Sequence, residues 1–158
     1  MELLLVIGIL AILSVISFGS FMKTIERGRD AQRKSDIATL KKAIEQFGND
    51  LTTYPDSLAG KIKGCSSIDS SGTVTYAACT SSFSYYVNGE KVTVLNKYPT
   101  DPSTDRSYYY EKTTDGFVLY AALEVDTDKD VWTGAASLPT CGSITCNYKV
   151  TNSGVETQ

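Results

Sequence analysis

What this chain lacks narrows its chemistry first. Its 158 residues include no histidine, which removes the commonest general base and the commonest nitrogen ligand for metals together. Four cysteines, Cys65, Cys79, Cys141 and Cys146, suit either two disulfides or a four-thiolate zinc site. No C-x-x-C occurs, and thirteen and four intervening residues fit zinc modules poorly, so two disulfides are expected. Three connectivities are open, and closeness in sequence favours Cys65 with Cys79 and Cys141 with Cys146. Asp126-Thr-Asp128-Lys-Asp130 alternates carboxylates on a short turn, like the start of a calcium loop. Val131 stands where such a loop needs glycine and Ser137 where it needs a bidentate glutamate, so a plain acidic surface turn competes with calcium. There is no nucleophile placed with a base and no glycine-rich phosphate loop, so the chain is not expected to be an enzyme. The remaining reactive group is Glu2, a carboxylate followed by twenty uncharged residues up to Lys23. An unpaired acid beside hydrocarbon is costly and calls for a partner.

The elements that position these groups begin with the N-terminal run MELLLVIGILAILSVISFGSFM, residues 1–22. About 20 mostly apolar residues can cross a bilayer as a helix, so this run is expected to be an anchor. It opens on an acid and is too long for a cleaved signal peptide. Small residues in a span usually mark close helix contact, the role expected of Gly8, whereas Gly19 among its serines is either a contact notch or a place where the helix loosens.

Helix-compatible sequence continues to about Asp50, giving one helix of about 75 Å at 1.5 Å per residue. From Lys23 to Lys42 charges of both signs mix. Asp30 with Lys34, Arg33 with Asp36, and Lys41 with Glu45 are spaced to pair on a helix surface, which reads as a solvated face with weak ion pairs. Ile37, Leu40, Ile44, Phe47 and Leu51 recur at intervals of three and four, an apolar stripe suited to packing on a sheet. Gly48-Asn49-Asp50 and then Pro55 are expected to end the helix.

Past the helix, residues 51–73 read as a connector pinned by Cys65, with 57–73 irregular. Strands are expected at Val74–Ala78, Phe83–Val87 and Glu90–Leu95, the last two joined through Asn88-Gly89. A second hairpin is expected from Arg106–Lys112 and Phe117–Glu124 around Thr113-Thr-Asp-Gly116, with Tyr108, Tyr109, Tyr110 and Tyr120 on both faces. The tail is rich in Thr, Ser and Gly, with a short strand at 147–151. Residues 51–158 hold eight basic against twelve acidic side chains, which argues against a nucleic-acid-binding head.

These residues resemble a known family. MELLLVIGILAIL is similar to the N-terminal signature of type IV pilins and type II secretion pseudopilins, with Met1-Glu2-Leu3 matching the end of the stretch that begins their long helix. Gly28-Arg-Asp-Ala-Gln-Arg-Lys-Ser35, Tyr54-Pro55 and Asp101-Pro102 resemble the major-pseudopilin type. The likeness is specific over residues 1–36, looser to 124 and thin beyond. Two features depart from the family: no glycine-aromatic cleavage site is present, so the sequence starts within the mature protein or is processed differently, and the membrane-segment proline is absent, with Gly19 near its place.

The resemblance implies an α+β type IV pilin fold, one long helix whose second half packs on an antiparallel sheet. It divides the chain into an apolar half, 1–22, and a head, 23–158. It implies a filament subunit, held in the cytoplasmic membrane before assembly and then part of an extracellular bacterial filament. In that filament Leu3, Leu4, Leu5, Val6, Ile7, Gly8, Ile9, Leu10, Ile12, Leu13 and Gly19 would form the shared helical core. Glu2 would meet the N-terminal amine, methylated in the family, of an adjacent copy and set axial register. Partners would be copies of the chain, the membrane, a prepilin peptidase, and an assembly ATPase with its platform. Calcium in the loop at Asp126, Asp128 and Asp130 is a family property too. The alternatives are a secretion pseudopilin and a monomeric membrane-anchored binding domain.

Overall fold

The computed structural model describes residues 2–134 and 136–157, except for the side chains of Glu2, Leu5 and residues 15–20. One helix, α1 (Glu2–Leu51), accounts for 50 residues. It stops where Thr52 takes a left-handed conformation at φ 57°. Gly48 is therefore inside the helix rather than its cap, and its role is close approach: a Cβ there would lie 2.8 Å from the Tyr54 ring. Among the described residues no helix is long and apolar enough to cross a membrane. The anchor expected over residues 1–22 draws in part on Leu5 and 15–20, which lie outside the described side chains.

After α1 the described strands all pair antiparallel. The connector expected to be irregular forms three short strands instead, β1 (Asp56–Leu58), β2 (Lys61–Lys63) and β3 (Cys65–Ile68). Tertiary pairing outweighs local composition here: β1 pairs with β2, and β3 pairs with β4 (Val74–Ala77). Strands β5 (Phe83–Val87) and β6 (Glu90–Leu95) form the expected hairpin. Its turn residues Asn88 and Gly89 both have positive φ, 52° and 85°, as a two-residue turn of this kind requires.

The main sheet has the order β12-β11-β8-β7. Its strands β7 (Tyr109–Lys112) and β8 (Phe117–Ala121) are shorter than expected at the ends away from their shared turn. Residues 106–108 and 122–124 leave the ladder to serve side-chain bonds, Arg106 Nη1 donating to the Ala122 carbonyl at 2.7 Å and Tyr108 Oη to Asp36 at 2.7 Å. A β-bridge joins Arg106 to Gly142. The tail holds more order than its composition suggests. A small ladder, β9 (Thr140–Cys141) with β10 (Ile144–Thr145), is followed by β11 (Tyr148–Thr151) and β12 (Gly154–Glu156), which extend the main sheet.

The core forms where the apolar stripe of α1 meets the sheet. Ile37, Leu40, Ile44 and Phe47 are buried against Phe83, Tyr85, Tyr110, Phe117, Leu119 and Ala121, and Leu51 packs at its edge. Alternation along β8 sends Phe117, Leu119 and Ala121 to this face, while Val118 and Tyr120 join Cys141 and Cys146 on the other. Both disulfides take the nearest-neighbour connectivity, Cys65–Cys79 and Cys141–Cys146, with Cα separations of 5.1 and 5.2 Å.

Candidate functional site

The two halves of α1 meet opposite environments. Between Leu3 and Met22 the described large apolar side chains are exposed, from Leu3 at 77% to Ile7 at 49%, including Leu4, Val6, Ile9, Leu10, Ile12, Leu13 and Phe21. A helix that is apolar on all sides is ordinarily buried or in lipid. Among the described residues nothing lies within 4 Å of the Cβ position at Gly8. The side chain of Glu2 and the surroundings of Gly19 lie outside the described residues, as does the side chain of Leu5.

Where the exposed half gives way to the packed half, the structure builds a buried ionic collar. Asp30 and Arg33 are 2% and 0% exposed. The buried stripe of α1 thus runs 30, 33, 37, 40, 44, 47, and its first two positions are charged. Arg33 donates through Nε and Nη2 to the two oxygens of Asp101 at 2.8 and 2.9 Å, and through Nη1 to Asp30 at 2.7 Å. Glu124 lies 2.7 Å from the same Nη1 and pairs through both oxygens with Arg29. Asp30 accepts the backbone N–H groups of Glu124 and Val125 at 2.9–3.0 Å, and Asp101 accepts that of Ser103 at 2.8 Å. These bonds tie the helix to two segments 68 to 95 positions away.

This corrects the solvated-face expectation. The spacing suggested Asp30–Lys34 and Arg33–Asp36 pairs, whereas Arg33 takes Asp30 and Asp36 accepts from Tyr108. Of the three expected pairs only Lys41–Glu45 forms, at 3.8 Å. Burial opposes the charge of Arg33, and the hydrogen bonds it donates to Asp101, Glu124 and Asp30 outweigh it, so its pKa is raised. Glu124 is held down at about 2, chiefly by the hydrogen bond from Arg29, which together with Arg33 overcomes the opposing effect of burial. The available signal in the sequence was the 3-4 spacing itself, which extends from Ile37 back through Arg33 and Asp30.

The acidic turn carries an ion pair with the helix that its spacing did not suggest. Lys34 Nζ sits between Asp128 Oδ1 at 2.6 Å and Asp130 Oδ2 at 2.7 Å, and 5.9 Å from the Tyr148 ring centroid. Asp126 is exposed and does not join them. Among the described residues no three acidic or thiol side chains converge to hold a metal ion. The ammonium bridges Asp128 and Asp130, and a calcium ion bound by these two carboxylates would have to displace it.

The architecture is therefore α+β, with a long N-terminal helix seated on antiparallel sheets and two disulfides securing the outer loops. Compared with protein-family models, curated proteins and solved structures, the chain matches none.

Proposed function

We propose that the chain is the major structural subunit of a type IV pilus, polymerising through the apolar first half of α1. The observation that carries this reading is that the described large apolar side chains between Leu3 and Met22 are exposed, on the same helix whose second half packs into the head. Each large apolar side chain taken out of water contributes about 1.5–3 kcal/mol. The described ones together supply a driving force on the order of 10 kcal/mol or more, against which the ordering costs of association are set. Lipid satisfies that surface before assembly and the helices of neighbouring copies afterwards. A heterologous contact of this kind, repeated without closing, generates an open helical filament.

The collar suits such a subunit. Pulling on the exposed half of α1 loads the junction with the head, where Arg33 and Asp30 hold the helix to two distant segments. The disulfides and the lack of histidine-based chemistry accord with a structural role outside the cytoplasm.

The test is to express the full chain in a bacterium carrying pilus-assembly machinery and lacking its own major subunit. Surface filaments that bind antibody to this head support the reading. A chain that reaches the membrane, folds, and stays monomeric overturns it in favour of an anchored binding domain.

A further inference from the structure

A cavity of about 360 Å³ opens on the head beside the collar, lined among others by Lys61, Tyr98, Thr104, Arg106, Ser107 and Tyr108. Its volume falls within the range of small-molecule sites, which combine apolar walls with a few polar groups. Two comparable depressions are lined by Lys112, but that ammonium is already paired with Asp56 at 2.9 Å.

The cations here are less committed. Lys61 is exposed and forms no ion pair with the described residues. Arg106 spends Nη1 on the Ala122 carbonyl and lies 4.0 Å from Asp105, leaving guanidinium N–H groups unused. The one carboxylate in the wall, Asp101, is taken by Arg33. Among the described lining residues the charge not taken up by a close ion pair is thus positive, on a head that is acidic as a whole. Tyr98 packs its ring against the core, and its hydroxyl makes no hydrogen bond to the described residues. Burial pushes that hydroxyl's pKa up, so it remains a neutral donor. The ring of Tyr108 offers a second aromatic surface, and Thr104 and Ser107 supply hydroxyls.

We propose that this cavity binds a monosaccharide bearing a carboxylate. The aromatic walls accept the C–H face of a sugar ring, the Tyr98, Thr104 and Ser107 hydroxyls match ring hydroxyls, and Lys61 with Arg106 receives the carboxylate by charge-assisted bonds. This assignment is independent of filament formation.

The experiment uses the isotopically labelled full chain in polyoxyethylene-ether micelles, which carry neither sugar nor charge. D-glucuronate is titrated while backbone amide shifts are followed, with D-glucose and acetate as separate controls. Saturable shifts at Lys61 and residues 98–108 are expected with glucuronate, and affinity at least tenfold weaker with either control. Lys61→Ala and Tyr98→Phe should each weaken glucuronate about tenfold, the loss of one hydrogen bond to a charged or buried partner. Lys61 is at the surface and Tyr98→Phe keeps the packed ring, so both variants are expected to keep the parent spectrum elsewhere. Absence of saturation, equal response to glucose or acetate, or unchanged affinity in both folded variants would overturn the proposal.

Discussion

Arg33 grips Asp101 with two parallel hydrogen bonds, 2.8 Å from Nε and 2.9 Å from Nη2, across 68 positions of sequence. Both side chains are almost wholly buried, at 0% and 1% exposure. A planar guanidinium matches a carboxylate in this way and a lysine does not. The pair fastens the middle of α1 to the loop that leads to β7, where Tyr108 Oη also donates to Asp36 at 2.7 Å.

Removing this guanidinium leaves Asp30, Asp101 and Glu124 without their shared cation, with Arg29 still paired to Glu124. Arg33→Ala is therefore expected to cost about 3–5 kcal/mol, the usual penalty for breaking a buried pair from one side. Arg33→Lys should recover part of it. Urea unfolding of the full chain in detergent measures both, and a midpoint unchanged in Arg33→Ala contradicts the collar's role.

The collar also sets an acid dependence. Glu124 has an ordinary value of 4.5 and is held at about 2 in the folded chain. The unfolded state therefore binds its proton first as pH falls, so the contribution of Glu124 is complete above about 4.5 and is lost as pH drops toward about 2. Thermal midpoints should decline across this window. In Glu124→Gln the decline should be shallower, and an identical slope in parent and variant argues against the assignment.

Lys34 holds Asp128 and Asp130 from a side chain about a quarter exposed. Pairs of this kind contribute at most about 1 kcal/mol, so Lys34→Met should lower stability slightly while speeding amide exchange at residues 126–131. The parent chain should melt at the same temperature with calcium and with a chelator. A midpoint raised by calcium would show that the ion displaces the ammonium.

On the proposed pilus reading, Glu2→Ala should leave the head folded, because the collar and core are built from residues 29–150, yet abolish filament yield. A carboxylate beside an apolar run favours a register in which a neighbour's amine meets it. Electron microscopy of cells expressing this variant provides the count. Filaments in normal number would remove Glu2 from the register argument.

Much of this fold was legible in the chain itself. The stripe from Ile37 to Phe47, the Asn88-Gly89 turn and the spacing of the cysteines are local signals, and each corresponds to packing, a turn or a bond that forms. Strands β1 to β3 were not legible, because Gly, Ser and Lys have little strand preference and those segments are held by partners. Cys79 N–H donates to the Ile62 carbonyl at 2.9 Å, and Tyr110 N–H to that of Gly60 at 2.7 Å.

The ionic collar divides the two kinds of information most sharply. Period alone placed Asp30 and Arg33 in line with Ile37, Leu40 and Ile44, so the sequence by itself determined which face of α1 they occupy. Whether that face met water or protein was decided by Asp101 and Glu124, which reach it only after the sheet has folded. Charged residues read locally as solvated, since short-range spacing offers them helix neighbours and water. Burial becomes tolerable only when distant carboxylates and backbone N–H groups satisfy every donor and acceptor at once, and that arrangement exists in the tertiary structure alone.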